Sequence, residues 1–187
     1  MERPGPVAAR IGRGRGRLRL TVPTVTPARP VVHLVPLPAS DAAHAVNVYF
    51  LPGDVPTLVD TGPAGSVSED ALAADLAAFG ARIGDVRRIV VTHAHANHCG
   101  LAARLTSCGG ATVVAHPLAL PALADWPGAC ADRAELFRRA GAAGDVPPAL
   151  VAAAADAIVR DGDRGASVPE PALVRLRPRA RVRMGGA

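Results

Sequence analysis

Lysine is absent from this sequence: all 21 basic residues are arginine, set against 16 acids and 6 histidines, so the net charge of +5 is an arginine charge. Aromatic residues number five (three Phe, one Trp, one Tyr), too few to build the stacking platforms on which single-stranded nucleic acids lie. Three cysteines, Cys99, Cys108 and Cys130, are an odd set without C-x-x-C spacing, which excludes a disulfide framework. They read as free thiols in a reducing compartment, and a cytoplasmic location is expected. No apolar run reaches the roughly 18 residues of a membrane span. The first residues carry charge but no apolar stretch before a small-residue cleavage site, so a secretory signal is not expected.

The arginines are unevenly placed. Residues 1–19 carry six Arg and one Glu, and residues 171–187 carry five Arg and no acid. Each end is therefore +5, which leaves residues 20–170 at −5: a mildly acidic body with a basic arm at either side. Such arms can contact phosphates, and binding that falls steeply with salt would reveal it. Because "RIGRGRGRLRL" has no aromatic residue to stack a base, the preferred reading is a solvated terminus. Nucleic acid is kept as the weaker alternative and not the expected partner.

The length of 187 residues and a hydrophobic fraction of 49% suit one globular domain. Residues 1–30, rich in Gly, Pro and Arg, read as a loose arm, and residues 31–187 as the domain. Within it, 31–35, 46–51 and 56–62 read as strands, with a hairpin signal at "LPGD". A helix follows over 69–79, with Ser66 and Glu69 at capping-box spacing at its start and Leu72, Leu76 and Phe79 on one face. "RRIVVT" (87–92) and "ATVVA" (111–115) are further strands, with a short helix at "LAARL" between them. Segments 117–124, 131–140 and 148–160 are helix candidates, and the alternating tail reads as an edge strand interrupted by Pro178. This order predicts a layered α/β fold.

Chemistry is concentrated in "VTHAHANHCG", where His93, His95 and His98 fall within six positions. Zinc and similar metals take neutral imidazole nitrogens. On an extended segment His93 and His95 point the same way, and His98 approaches past the strand end. A strand's C-terminal end is also where α/β folds commonly place ligands. His33 and His44 stand alone and read as non-ligands, and His116 as a structural or supporting group. Cys99 reads as a buried small hydrophobe. A closed structural site from His93, His95, His98 and Cys99 would crowd four ligands into seven residues and ranks last.

The stretch "THAHANHCG" resembles the T-H-x-H-x-D-H-x-G signature of the metallo-β-lactamase-fold hydrolases. "VNVYFL…PTLVDTG", the helix after it and "GATVVAHP" follow in that family's order, so the resemblance covers about residues 31–124. Its flavour is glyoxalase II-like or thioesterase-like. It implies an αββα sandwich, of which this chain would supply the N-terminal part, with one or two ions of zinc, iron or manganese at its edge. His93 and His95 would hold one ion; the Asn97 position and His98 would serve the other, and Asp60 would orient a ligand histidine. The implied reaction is attack of a metal-activated water on a thioester, ester or related bond of a small-molecule substrate.

Two departures bear on that chemistry. Asn97 stands where the family has Asp; a neutral amide is a poor ligand and no base at pH 7, so at most one ion is expected. No histidine follows His116, so the family's later ligands are missing; Asp161 or Asp163 could offer only an Asp. The expectation is a C-terminally truncated member: a metal-dependent hydrolase, mononuclear and impaired, or else a non-catalytic metal-binding or scaffold protein. An incomplete sandwich would leave an apolar sheet face open and favour self-association.

Overall fold

A computed structural model describes residues 31–38 and 45–177. The arms at 1–30 and 178–187 and His44 lie outside the described residues, and so do the expectations placed on them. The described chain forms β1 (His33–Pro38), β2 (Ala45–Leu51), β3 (Thr57–Val59), α1 (Ser66–Ala78), β4 (Arg88–Val91) and α2 (Ala96–Cys99). It continues through α3 (Ala102–Gly109), β5 (Thr112–Ala115), α4 (Leu120–Ala124), α5 (Trp126–Ala143), α6 (Pro148–Arg164) and β6 (Leu173–Arg175).

The strands lie side by side in chain order as one six-stranded sheet. β1, β2 and β3 pair antiparallel, and β3 to β6 pair parallel. Each parallel step needs a crossover, and each crossover carries helix: α1, then α2 and α3, then α4 to α6. The expected mixed sheet with flanking helices is present.

Pleating sends alternate residues to opposite faces, and the register aligns the apolar ones. Val35 pairs with Val48, Phe50 with Leu58, Leu58 with Ile89 and Ile89 with Val113. All of these are buried, in one cluster with Leu72 and Leu76 of α1, Leu105 of α3, Leu123 of α4 and Trp126 of α5. The opposite face carries a second row across all six strands: Leu34, Tyr49, Val59, Val90, Val114 and Val174. Leu34 is 52% exposed, Tyr49 40% and Val174 42%, while Val59 and Val90 are half-buried and Val114 is buried. The open apolar face expected from the sequence is therefore there among the described residues.

Three local expectations are corrected. Ser66 does not cap α1: Gly65, at φ 128°, is the residue before the first turn and no side chain caps it. Glycine reaches this bend without steric cost and places Ser66 already inside the helix. Glu69 is thereby left to bond the Nε of Arg104 on α3, at 2.9 Å. β1 runs over 33–38 instead of 31–35, because Val35 and Leu37 are the residues that reach the core; its two prolines are tolerated on an edge strand. α5 begins five residues earlier than the apolar pattern suggested, since the Asp125 carboxylate accepts from Gly128 N at 3.2 Å and Pro127 occupies the first turn.

Candidate metal centre

The C-terminal ends of the adjacent parallel strands β3 and β4 build the site. β4 delivers Thr92, His93, Ala94 and His95, and the short α2 that follows carries Asn97 and His98. β3 delivers Asp60, whose amide still pairs with Val90 O at 2.9 Å before the chain turns away at φ 62°. Asp is among the few non-glycine residues that tolerate this conformation.

Asp60 is 4% exposed, and its carboxylate is fully engaged. It accepts from Thr92 N at 2.8 Å, from Thr92 Oγ1 at 2.8 and 3.0 Å, and from His98 Nδ1 at 2.8 Å. A carboxylate only accepts, so Nδ1 of His98 carries a proton, which leaves Nε2 as the ring nitrogen available to a metal. Thr92 spends its single hydroxyl proton on Asp60, so its oxygen is an acceptor for His93 Nδ1, 3.0 Å away, and Nε2 is again the ring nitrogen available to a metal. One buried carboxylate thus fixes the tautomer of two imidazoles.

The rings are neighbours: the centroids of His93 and His95 are 4.6 Å apart and those of His93 and His98 4.2 Å. Burial, followed by His93, Arg133 and His98, holds the pKa of His95 below its ordinary value, which favours the neutral ring. α2 is tied to β3 by Thr61 N donating to His98 O at 2.7 Å and by Thr61 Oγ1 accepting from Leu101 N at 3.2 Å. Gly100 is needed at this junction because a Cβ there would collide with the backbone of Pro63, Ala64 and Ala96.

The donors have the right chemistry for a borderline metal, but they do not close a site. Among the described residues no group of three or more His, Cys, Asp or Glu side chains is placed to hold an ion. A catalytic zinc takes three protein ligands and a structural one takes four. Asn97 lies exposed on α2. His116 is exposed at the end of β5, where its Nδ1 accepts from Leu118 N at 3.2 Å. Asp161 is carried by α6 and lines a small cleft with Pro63, Ala64, Ala96 and Gly100, and Asp163 is exposed; neither joins the histidines in a metal-holding group.

His33 stacks on Phe79 with centroids 3.9 Å apart. Cys99 is buried and donates to His95 O at 3.2 Å, and burial with the nearby Asp60 pushes its thiol up to about 12, a protonated group rather than a thiolate ligand. Thr61, Thr92 and Arg133 are the site residues that sequence reading did not assign. Thr92 stands inside the quoted signature, whereas Arg133 had no local signal.

The sequence profile of the metallo-beta-lactamase superfamily matches residues 42–175. A probable metallo-hydrolase, YqjP of Bacillus subtilis, is 40% identical over 65 residues, which is 35% of this chain and 20% of that protein. The crystal structure of the metallo-beta-lactamase family protein TTHA1429 from Thermus thermophilus superposes with a TM-score of 0.65 at 25% identity. The match covers 82% of this chain and 48% of that one. The matched segments thus amount to about half the length of that structural relative and a fifth of the length of that hydrolase.

Proposed function

Because this chain belongs to the metallo-β-lactamase superfamily, we propose that it carries the first ligand segment of a metal-dependent hydrolase that cleaves a thioester, ester or related bond. Members of the family bind metal ions, usually zinc. The observation that carries the proposal is the clustering of the three rings, with His93 4.6 Å from His95 and 4.2 Å from His98, beside one buried carboxylate. His93 and His95 would hold a single zinc, with iron or manganese as alternatives, and His98 lies beside them. A bound metal supplies Lewis acidity, acidifying water and polarising the bond under attack. Asp60 holds His98 and Thr92 in register, and Thr92 passes that constraint to His93. Asn97, a neutral amide, neither binds a second ion well nor takes a proton at pH 7, so hydrolysis by this chain is expected to be impaired.

Elemental analysis of the purified chain tests the proposal directly. About one zinc per chain is expected, lost in His93→Ala or His95→Ala, together with thioester hydrolysis that a chelator abolishes. A chain that takes up no metal after incubation with zinc would refute it.

A specific observation favours a second property. The row of Leu34, Tyr49, Val59, Val90, Val114 and Val174 has no charged member, so a copy turned about a twofold axis would meet it without like-charge repulsion. We propose that a second copy of the chain covers it.

A further inference from the structure

α5 turns one charged residue toward the histidine loop. Arg133 sits half-buried between Cys130 and Ala134, which are both buried. Its Nη2 donates to the carbonyl oxygen of Ala94 at 2.9 Å. Ala94 is the residue between His93 and His95, so the orientation of its peptide sets the angle at which the two rings leave the backbone. The neighbouring carbonyls are served from within the loop: His93 O by His95 N at 3.0 Å, and His95 O by the amides of His98 and Cys99 at 2.9 and 3.0 Å. Ala94 O is served by a side chain 39 positions away, on another element.

We infer that Arg133 is a positioning residue for the His93–His95 pair and that, through it, the α5–α6 hairpin is a working part of the site. The guanidinium gives a charge-assisted bond, stronger than one from a neutral donor, and its rigid fork fixes direction as well as distance. The hairpin behind it is close-packed. A Cβ on Gly141 would run into Val151, and one on Gly162 would press on Cys130, so α6 holds α5 at a set distance. A displacement of the hairpin therefore reaches the Ala94 peptide through one bond. The geometry stands whether or not a metal binds; only its consequence for affinity rests on the hydrolase reading.

The test uses the full chain as Arg133→Ala, Arg133→Lys and, as a control on the same helix, Arg139→Ala, an exposed position. In metal-free protein, amide hydrogen exchange over residues 93–99 is expected to quicken about tenfold in Arg133→Ala, to recover largely in Arg133→Lys and to stay unchanged in Arg139→Ala. Exchange in β1 and β2 should not move. Unchanged exchange at 93–99, or an equal rise throughout the sheet, would overturn the inference. Zinc affinity, read by competition with a chromogenic chelator, is expected to fall about tenfold in Arg133→Ala. Equal affinity in wild type and Arg133→Ala would likewise overturn it. If the wild type takes up no zinc, the hydrolase reading fails while the exchange result still decides the role of Arg133.

Discussion

Leu58 and Val59 are neighbours in β3, yet Leu58 is sealed against Phe50 and Ile89 while Val59 lies on a face that stays partly open. Both faces carry an apolar row, but the face of Val59 also carries Asn47, Thr57, Arg88 and Thr112, and the helices pack on the face of Leu58. α1, α3, α4 and α5 all contribute to the cluster on Leu58's side, whereas the row containing Val59 remains exposed at Leu34, Tyr49 and Val174. The covered face also anchors the ends of β3 and β4, from which Asp60 and the histidines project. Its packing is thus a condition of the site's geometry.

The largest effect is expected from two neighbouring positions of one strand. Leu58→Ala should cost about 2–5 kcal/mol of unfolding free energy, because the removed methyl groups leave a cavity that α1 and α3 cannot fill. Val59→Ala should cost about 1 kcal/mol or less, since water already reaches that side chain. Urea unfolding of the two variants measures the difference, and equal losses would mean that both faces are covered in solution.

A second, smaller effect is expected at Asp60. Asn keeps the φ 62° conformation and the side-chain volume but brings an amide where donors already converge from Thr92 N, Thr92 Oγ1 and His98 Nδ1. Asp60→Asn should cost about 1–3 kcal/mol in urea unfolding, the range for a buried hydrogen-bonding group set against unsuitable partners. Any zinc affinity of the chain should fall about 10–100-fold, because the orientations of the His93 and His98 rings are no longer fixed. A variant with undiminished stability and affinity would show that the carboxylate does not organise the loop.

What could be read from the sequence was whatever one local pattern carried. The strands at 46–51, 88–91 and 112–115 show in β-branched runs, α1 in the spacing of Leu72 and Leu76, and the histidine loop in its own spacing. Where two signals competed, the pattern misled: Ser66 fits a capping box, but the positive φ of Gly65 decides where the helix starts. Arg133 was out of reach for another reason. Its partner is a main-chain oxygen, which has no residue identity, and it lies 39 positions away. Asp60 could be placed only through family resemblance, because no composition or period marks a carboxylate that accepts from a threonine 32 positions later.

The smallest effect on folding is expected at the open row. Leu34→Asp and Val174→Asp place charges at the two edges of the row, on side chains already about half in water. Stability of the isolated chain should change by about 0.5 kcal/mol or less. Association should respond far more. A charge placed on a twofold contact meets its own copy or loses its hydration, and either is costly in a dry interface. In sedimentation velocity the wild-type mass should rise with concentration, and the double variant should stay at the mass of one chain across the same range. A wild type that is monomeric throughout would remove the second copy as the cover of this face. It would leave the sheet with one side buried by its own helices and the other in water, which an antiparallel edge such as β1–β2 can sustain more readily than the parallel strands β3 to β6.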